Sequence, residues 1–411
     1  MRALSAALAL LLSGLPVHAE HWPQFRGPTG QGHSSERGLP IEWSDTHNVA
    51  WKVPVPGTGW SSPVVAGDRI WLTTAVGRSL RLLGFDAESG GAAIDAEVFR
   101  LSATRPMHLK NSLASPTPIV DGDRVYVHFG ADGTAALSRS GEVIWRTHLP
   151  YESQHGNGGS PVLYRDLLIV NCDGNGGEAY VVALDARTGD VRWKTNRRRP
   201  ADQAYSTPLV IRVGDRDLLV STGAYRAAAY DPLTGEEIWR VAYADGFSNV
   251  PRPVHGAGLV FLATGFNTPS IMAVRPDGRG DVTRSHVAWE TTRGAPYTPS
   301  PIVVGDELYF VSDTGVLSCV DARTGRFIWQ QRIGGNYSAS PVFADGRLYF
   351  LSEEGVATVI APGRTFQQLA VNRLDGATLA SIAISDGALF IRSDTHLYRI
   401  EARSRPGSLL R

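Results

Sequence analysis

Short apolar runs alternate with turn-forming residues along this chain, and the alternation itself repeats. In the clearest copies a Ser-Pro pair opens a strand and a Gly-Asp or Asp-Gly turn leads into a second apolar run. A turn of the form Asp-x-x-Thr-Gly follows, and a Trp closes the unit. Residues 300–329 read SPIVVGDELYFVSDTGVLSCVDARTGRFIW, and residues 160–193 and 206–239 nearly restate it. Runs such as GLVFLATG and ELYFVSD are apolar on both faces, which suits a sheet lying between two others. LVIRVGD, DLLVSTGA, AAYDPLTG and EEIWRV are four such runs in a row. At the Asp-x-x-Thr-Gly turn the Asp side chain accepts from nearby backbone N–H groups, and Gly supplies the positive φ.

The opener proline recurs at Pro63, Pro118, Pro161, Pro208, Pro253, Pro301 and Pro341, and an eighth unit without it survives in ISDGALFIRSD, residues 384–394. A period in the 40s built from short strands predicts a closed ring of small sheets. The fold class is therefore all-β, an eight-bladed β-propeller of four-stranded antiparallel blades. The closing Trp recurs at Trp145, Trp193, Trp239, Trp289 and Trp329, read as wedges between blades, with Phe99 and Phe366 as degenerate counterparts. Residues 49–53, VAWKV, look like a fourth strand without its first three, whereas the last unit ends at its third strand, HLYRIEA. The N-terminal strand is expected to complete the last blade, with Trp51 beside residues 396–402, removing two open sheet edges.

The propeller is expected over residues 49–403, preceded by an arm (20–48) packed along its exterior through Trp22, Phe25 and Trp43, and followed by a tail (404–411). Arg2, the apolar run ALSAALALLLSGL and Val17-His18-Ala19 read as a signal peptide over residues 1–19, cleaved after Ala19. The run is short for a membrane span. The expectation is an exported, soluble, monomeric protein, periplasmic or extracellular, with no transmembrane segment. Forty basic residues balance forty acidic ones, which argues against a nucleic-acid or anionic-membrane binder. Arg197-Arg198-Arg199, the only dense basic run, reads as a solvated loop. The two cysteines, Cys172 and Cys319, lie three units apart, too far for a disulfide, and read as buried free thiols.

The repeated SPxxxxGD…DxxTGxxxW pattern resembles the pyrroloquinoline-quinone-type (PQQ-like) propeller repeat, from residue 49 to about 402. That family includes quinoprotein alcohol dehydrogenases and the outer-membrane assembly lipoprotein BamB. His21-Trp22-Pro23-Gln24-Phe25-Arg26-Gly27-Pro28 also resembles the start of exported propellers of this type. The resemblance implies an eight-bladed ring whose ligand or partner surface lies at one face of the central funnel. Its enzymatic branch implies an adjacent-cysteine pair, a calcium site and an aspartate base. This chain has no Cys-Cys pair, no haem CxxCH and no BamB-type anchor cysteine.

In a propeller, the loop leading into each first strand lies at the funnel mouth. The candidates there are Trp60, His108, Lys110, Asn111, His155 and Asn157 from the first units. Tyr205, Asn249, Arg252, Tyr297, Asn336 and Tyr337 follow from the later ones, with Gln203 beside them. The longest spacing, Pro63 to Pro118, contains RPMHLKNS, a loop long enough to reach over the mouth. His108, Lys110, His155 and Arg252 would make that mouth cationic, suited to a carboxylate-bearing or sugar-like ligand. The three tyrosines also suit packing around the channel, Asn157 and Asn336 also suit turns, and His155 also suits a capping role. The expected function is a ligand- or protein-binding module, with no metal and no assured cofactor. The alternative is a pyrroloquinoline-quinone-dependent oxidoreductase without the cysteine ring, whose base would come from Glu152, Asp202 or Asp245.

Overall fold

The computed structural model describes residues 20–152, 154–174, 179–197, 202–244 and 246–402. The expected signal peptide, the tail, Arg198, Arg199 and Asp245 lie outside them. Eight antiparallel sheets form blades 1 to 7 over residues 64–100, 119–147, 162–196, 209–242, 254–291, 302–332 and 342–373, and blade 8 over 383–401. The strand Val49–Pro54 completes blade 8 by pairing antiparallel with His396–Glu401, Trp51 opposite Arg399 and Lys52 opposite Tyr398. The ring thus closes as the sequence predicts. Blade 4 alone gains a fifth strand: Gly280–Asp281, from the long turn of blade 5, runs parallel to Glu237–Ala242.

One contact joins most blades to the next. Trp51, Trp145, Trp193, Trp239, Trp289 and Trp329 each donate from Nε1 to a carbonyl in the following blade's Asp-x-x-Thr-Gly turn or its equivalent, at 2.9–3.3 Å. The turn glycine makes room. A Cβ on Gly189, Gly235 or Gly325 would stand 2.5–2.6 Å from the indole of Trp145, Trp193 or Trp289. Within its own blade the Trp faces a small residue across the ladder: Ala136, Ala183, Ala229, Ala273 or Cys319. Phe99 and Phe366 do not take this role. By register the equivalent positions are Ile94, opposite Gly84, and Ala370, opposite Val359. Phe99 packs against Phe129 and His148, and Phe366 against the incoming Trp329.

The arm does not keep to the exterior. Trp22 is fully buried and exchanges backbone bonds with Val65 of blade 1, and the Pro23 carbonyl accepts from Val120 of blade 2. Gly32 and Ser34 then bond Phe343 of blade 7. Between these points the arm crosses the channel at the end where the inner strands finish. There Arg26, at φ 64°, is buried and donates to the carbonyls of Pro301 and Gln31. Only afterwards does the arm run outward, where the Trp43 amide bonds Asn372 and its ring stacks on Tyr349. The channel is therefore closed at one end.

Candidate functional site

A hydroxyl residue stands directly before the opener of seven of the eight inner strands: Ser62, Thr117, Ser160, Thr207, Ser300, Ser340 and Ser381. The backbone fixes their arrangement. Ser62 N–H donates to Thr117 Oγ1, Thr117 to Ser160, and Ser160 to Thr207. The series resumes from Arg252 to Ser300, Ser340, Ser381 and back to Ser62, every bond 2.9–3.1 Å. It breaks once, where Arg252 occupies the hydroxyl position of blade 5. Each oxygen accepts from a neighbour's amide, so each hydroxyl proton is left to donate. None finds a protein acceptor among the described residues. All seven hydroxyl residues line one cavity of ≈ 590 Å³ in the funnel, with Phe25 of the arm also in its wall.

Aromatic rings build much of the rest of the wall. Phe247, Phe266 and Tyr297 form an arc with successive ring centroids 6.0 Å apart, and Phe266 is 59% exposed. Trp60, His108, His155 and Tyr205 also line the cavity, with the His108–His155 centroids 5.7 Å apart and His155–Tyr205 6.4 Å. The long loop between blades 1 and 2 does reach across the mouth. Arg105 pairs with Asp132 at its root, and Lys110 Nζ meets Glu353 Oε1 of blade 7 at 2.8 Å. Among the described residues one carboxylate lines the cavity: Asp313 Oδ2 accepts the amides of Tyr297 (2.6 Å) and Thr298 (3.3 Å). Burial raises its pKa above the ordinary carboxyl value, against these bonds and the nearby Lys110 charge.

Of the residues expected at the mouth, Trp60, His108, Lys110, Asn111, His155, Tyr205 and Tyr297 line this cavity. The others do not. Asn157 is buried under Phe129 and Leu113, bonding their carbonyls. Asn249 is buried and holds the Gly223 carbonyl and the Gly265 amide, and Gln203 accepts from the Tyr205 hydroxyl. Tyr337 is in the core between blades 6 and 7, and Asn336 bonds Glu354 in an exposed position. Arg252 points to the arm side of the channel. Its Nη1 donates to the Phe25 carbonyl at 2.7 Å and its Nε to Pro208 at 3.1 Å. The mouth is therefore less cationic than expected, since Lys110 is paired and Arg252 lies below the hydroxyl ring. Arg197 is no solvated residue either: it is buried, paired with Asp173 and bonded to Ser221.

Phe266, Asp313 and Glu353 are not reached from the loops that lead into the first strands. In an antiparallel blade the turn between the second and third strands returns to the same face, and all three residues lie in such turns. Glu152 and Asp202 do not line the cavity.

Among the described residues no helix is long and apolar enough to cross a membrane. The chain is 26% identical over 232 residues to the outer membrane protein assembly factor BamB of Burkholderia pseudomallei, covering 53% of this chain and 55% of that protein. It is 31% identical over 143 residues to a putative dehydrogenase, XoxF, of Paracoccus denitrificans, covering 30% and 22%. The chain thus spans between about a fifth and just over half of the length of these curated relatives. The fold is shared with the quinohemoprotein alcohol dehydrogenase of Comamonas testosteroni, with a TM-score of 0.70 at 12% identity over 95% of this chain and 82% of that one. Residues 33–198 and 177–405 match the family described as outer membrane protein assembly factor BamB, and with its eight blades, its repeated openers and its indole contacts this chain belongs to that family of PQQ-like propellers.

Proposed function

We propose that this chain is an exported envelope protein acting as a binding module, which holds a small, acceptor-rich ligand in the funnel cavity. The ring of seven hydroxyl protons without acceptors among the described residues carries this reading. A ligand bearing carboxylates, carbonyls or sugar oxygens would satisfy donors that the fold leaves over, while the Phe247–Phe266–Tyr297 arc offers a flat apolar face. The leader read in residues 1–19 and the BamB relatives' name support the envelope location. The test is thermal melting of the purified protein with pyrroloquinoline quinone, with simple sugars and with small dicarboxylates. A ligand at 100 times its Kd adds about 2.7 kcal/mol of stability, which raises the Tm visibly. Phe266→Ala, at an exposed position, should remove most of that rise while leaving the unliganded Tm unchanged. A Tm indifferent to every compound would discard the small-ligand reading in favour of a docked protein segment.

Asp313 favours a second reading, an oxidoreductase, because a carboxylate in the cavity with its pKa raised by burial is suited to accept a proton. The donor ring suits the oxygens of pyrroloquinoline quinone. The metal partner does not fit: among the described residues no three His, Cys, Asp or Glu side chains stand together to hold one. Cys172 and Cys319 are buried in separate blades. No catalytic step through a metal-bound quinone follows from these residues. Dye reduction by the quinone-loaded protein with an alcohol, abolished in Asp313→Asn, would support the oxidoreductase. Quinone binding without turnover would leave the binding module standing.

A further inference from the structure

The arm side of the channel holds a second pocket, of ≈ 370 Å³, separated from the funnel cavity by Phe25 and Arg252. We propose that it is a binding site for a small oxyanion, a carboxylate or a phosphate, recognised by Arg252, Gln31 and Thr29.

Arg252 is 1% exposed and borders this pocket. Its two acceptors, the carbonyls of Pro208 and Phe25, are uncharged. Its Nη2 has no protein acceptor among the described residues. Among the described residues no carboxylate lines the pocket, and burial alone accounts for a guanidinium pKa lowered to about 9. A buried cation left without a counter-charge is unfavourable, and a matching anion would relieve it. The neighbouring Arg212 differs, being already paired with Asp217 at 3.0 Å.

The remaining donors are oriented by the fold. Gln31 Oε1 accepts the His255 amide at 2.6 Å, which turns its NH₂ group away from that bond and leaves it to donate. Thr29 is exposed at the rim, with its hydroxyl unbonded among the described residues. Gly30 lets the arm close over the guanidinium, since a Cβ there would lie 2.5 Å from Nη1. The arm pairs with the inner strands of blades 1, 2 and 7, but the inner strands of blades 3 and 4, Val162–Tyr164 and Leu209–Val213, face the pocket instead. A positive, donor-lined cup is what planar or tetrahedral oxyanions require.

The test is calorimetric titration of the whole protein with inorganic phosphate and, separately, with succinate, in chloride at constant ionic strength. Saturable binding is the criterion, because excluded anions also stabilise proteins without a site. The arm of the titration that gives heat identifies the oxyanion. Arg252→Met should weaken binding by at least about tenfold, the worth of a charge-assisted hydrogen bond. Thr29→Glu changes an exposed residue, so it keeps the fold even where Arg252→Met does not, and its tethered carboxylate should abolish binding. Absence of saturable heat with both anions, or unchanged binding in Thr29→Glu, would overturn the proposal.

Discussion

His128 ends the strand Arg124–His128, fully enclosed, with Thr134 Oγ1 2.8 Å from Nδ1 and the Tyr151 hydroxyl 3.4 Å from Nε2. Burial holds its pKa down at about 4, against the attraction of Asp132 and below the ordinary 6.5. Between these values the unfolded chain takes up a proton that the folded one refuses. Stability is therefore complete above about pH 6.5 and is lost as the pH falls towards 4, by on the order of 3 kcal/mol. His33 and His255, also lowered by burial, act in the same direction. The urea midpoint should fall between pH 6.5 and 4.5, and His128→Gln should flatten that fall. Superimposable pH curves for the two proteins would show that His128 is not the titrating group. Arg26 is a different residue-scale solution. It too is lowered to about 9, by burial first and by Arg252 second, and carbonyl oxygens alone solvate it. Its φ of 64° is a conformation that non-glycine residues seldom keep unless their surroundings impose it.

At the scale of the element, the unit of construction is a Trp, the small residue opposite it and the glycine turn of the next blade. Trp239 is fully buried and bonds the Pro276 carbonyl at 2.9 Å. Trp239→Ala should lower stability by about 3–5 kcal/mol, and a wild-type urea midpoint would contradict that. This unit was legible because its turn chemistry is local: Asp, Thr and Gly write their conformation into adjacent positions. The replacements at Ile94 and Ala370 were not, since register is set by the bulge beside each Trp position rather than by the nearest aromatic. The site was half legible for a related reason. His108, Lys110 and Tyr205 could be assigned to the mouth by loop position. Asn157 and Asn249 share that position, but their amides are consumed by buried carbonyls, which only the packed structure displays. The hydroxyl ring occupies seven of the eight positions before the inner strands, where in sequence a Ser or Thr before the opener reads as turn punctuation.

At the scale of the molecule, closure depends on the strand Val49–Pro54, which covers the edge of blade 8 and seats Trp51 against Phe390. Deleting residues 49–54 should expose His396–Glu401 as a free edge and promote aggregation. Light scattering that shows a monomer with unchanged melting would mean that the ring does not need this clasp. The course of the arm matters as much. A ring of eight blades is by default a tube, open at both ends. Here residues 22–34 cork one end, so among the described residues the funnel opens at the other, which the Lys110–Glu353 bridge partly spans. A ligand held there as proposed would leave by the way it entered. Such a bore suits retention and is unsuited to transit, which sets this molecule apart from a conduit.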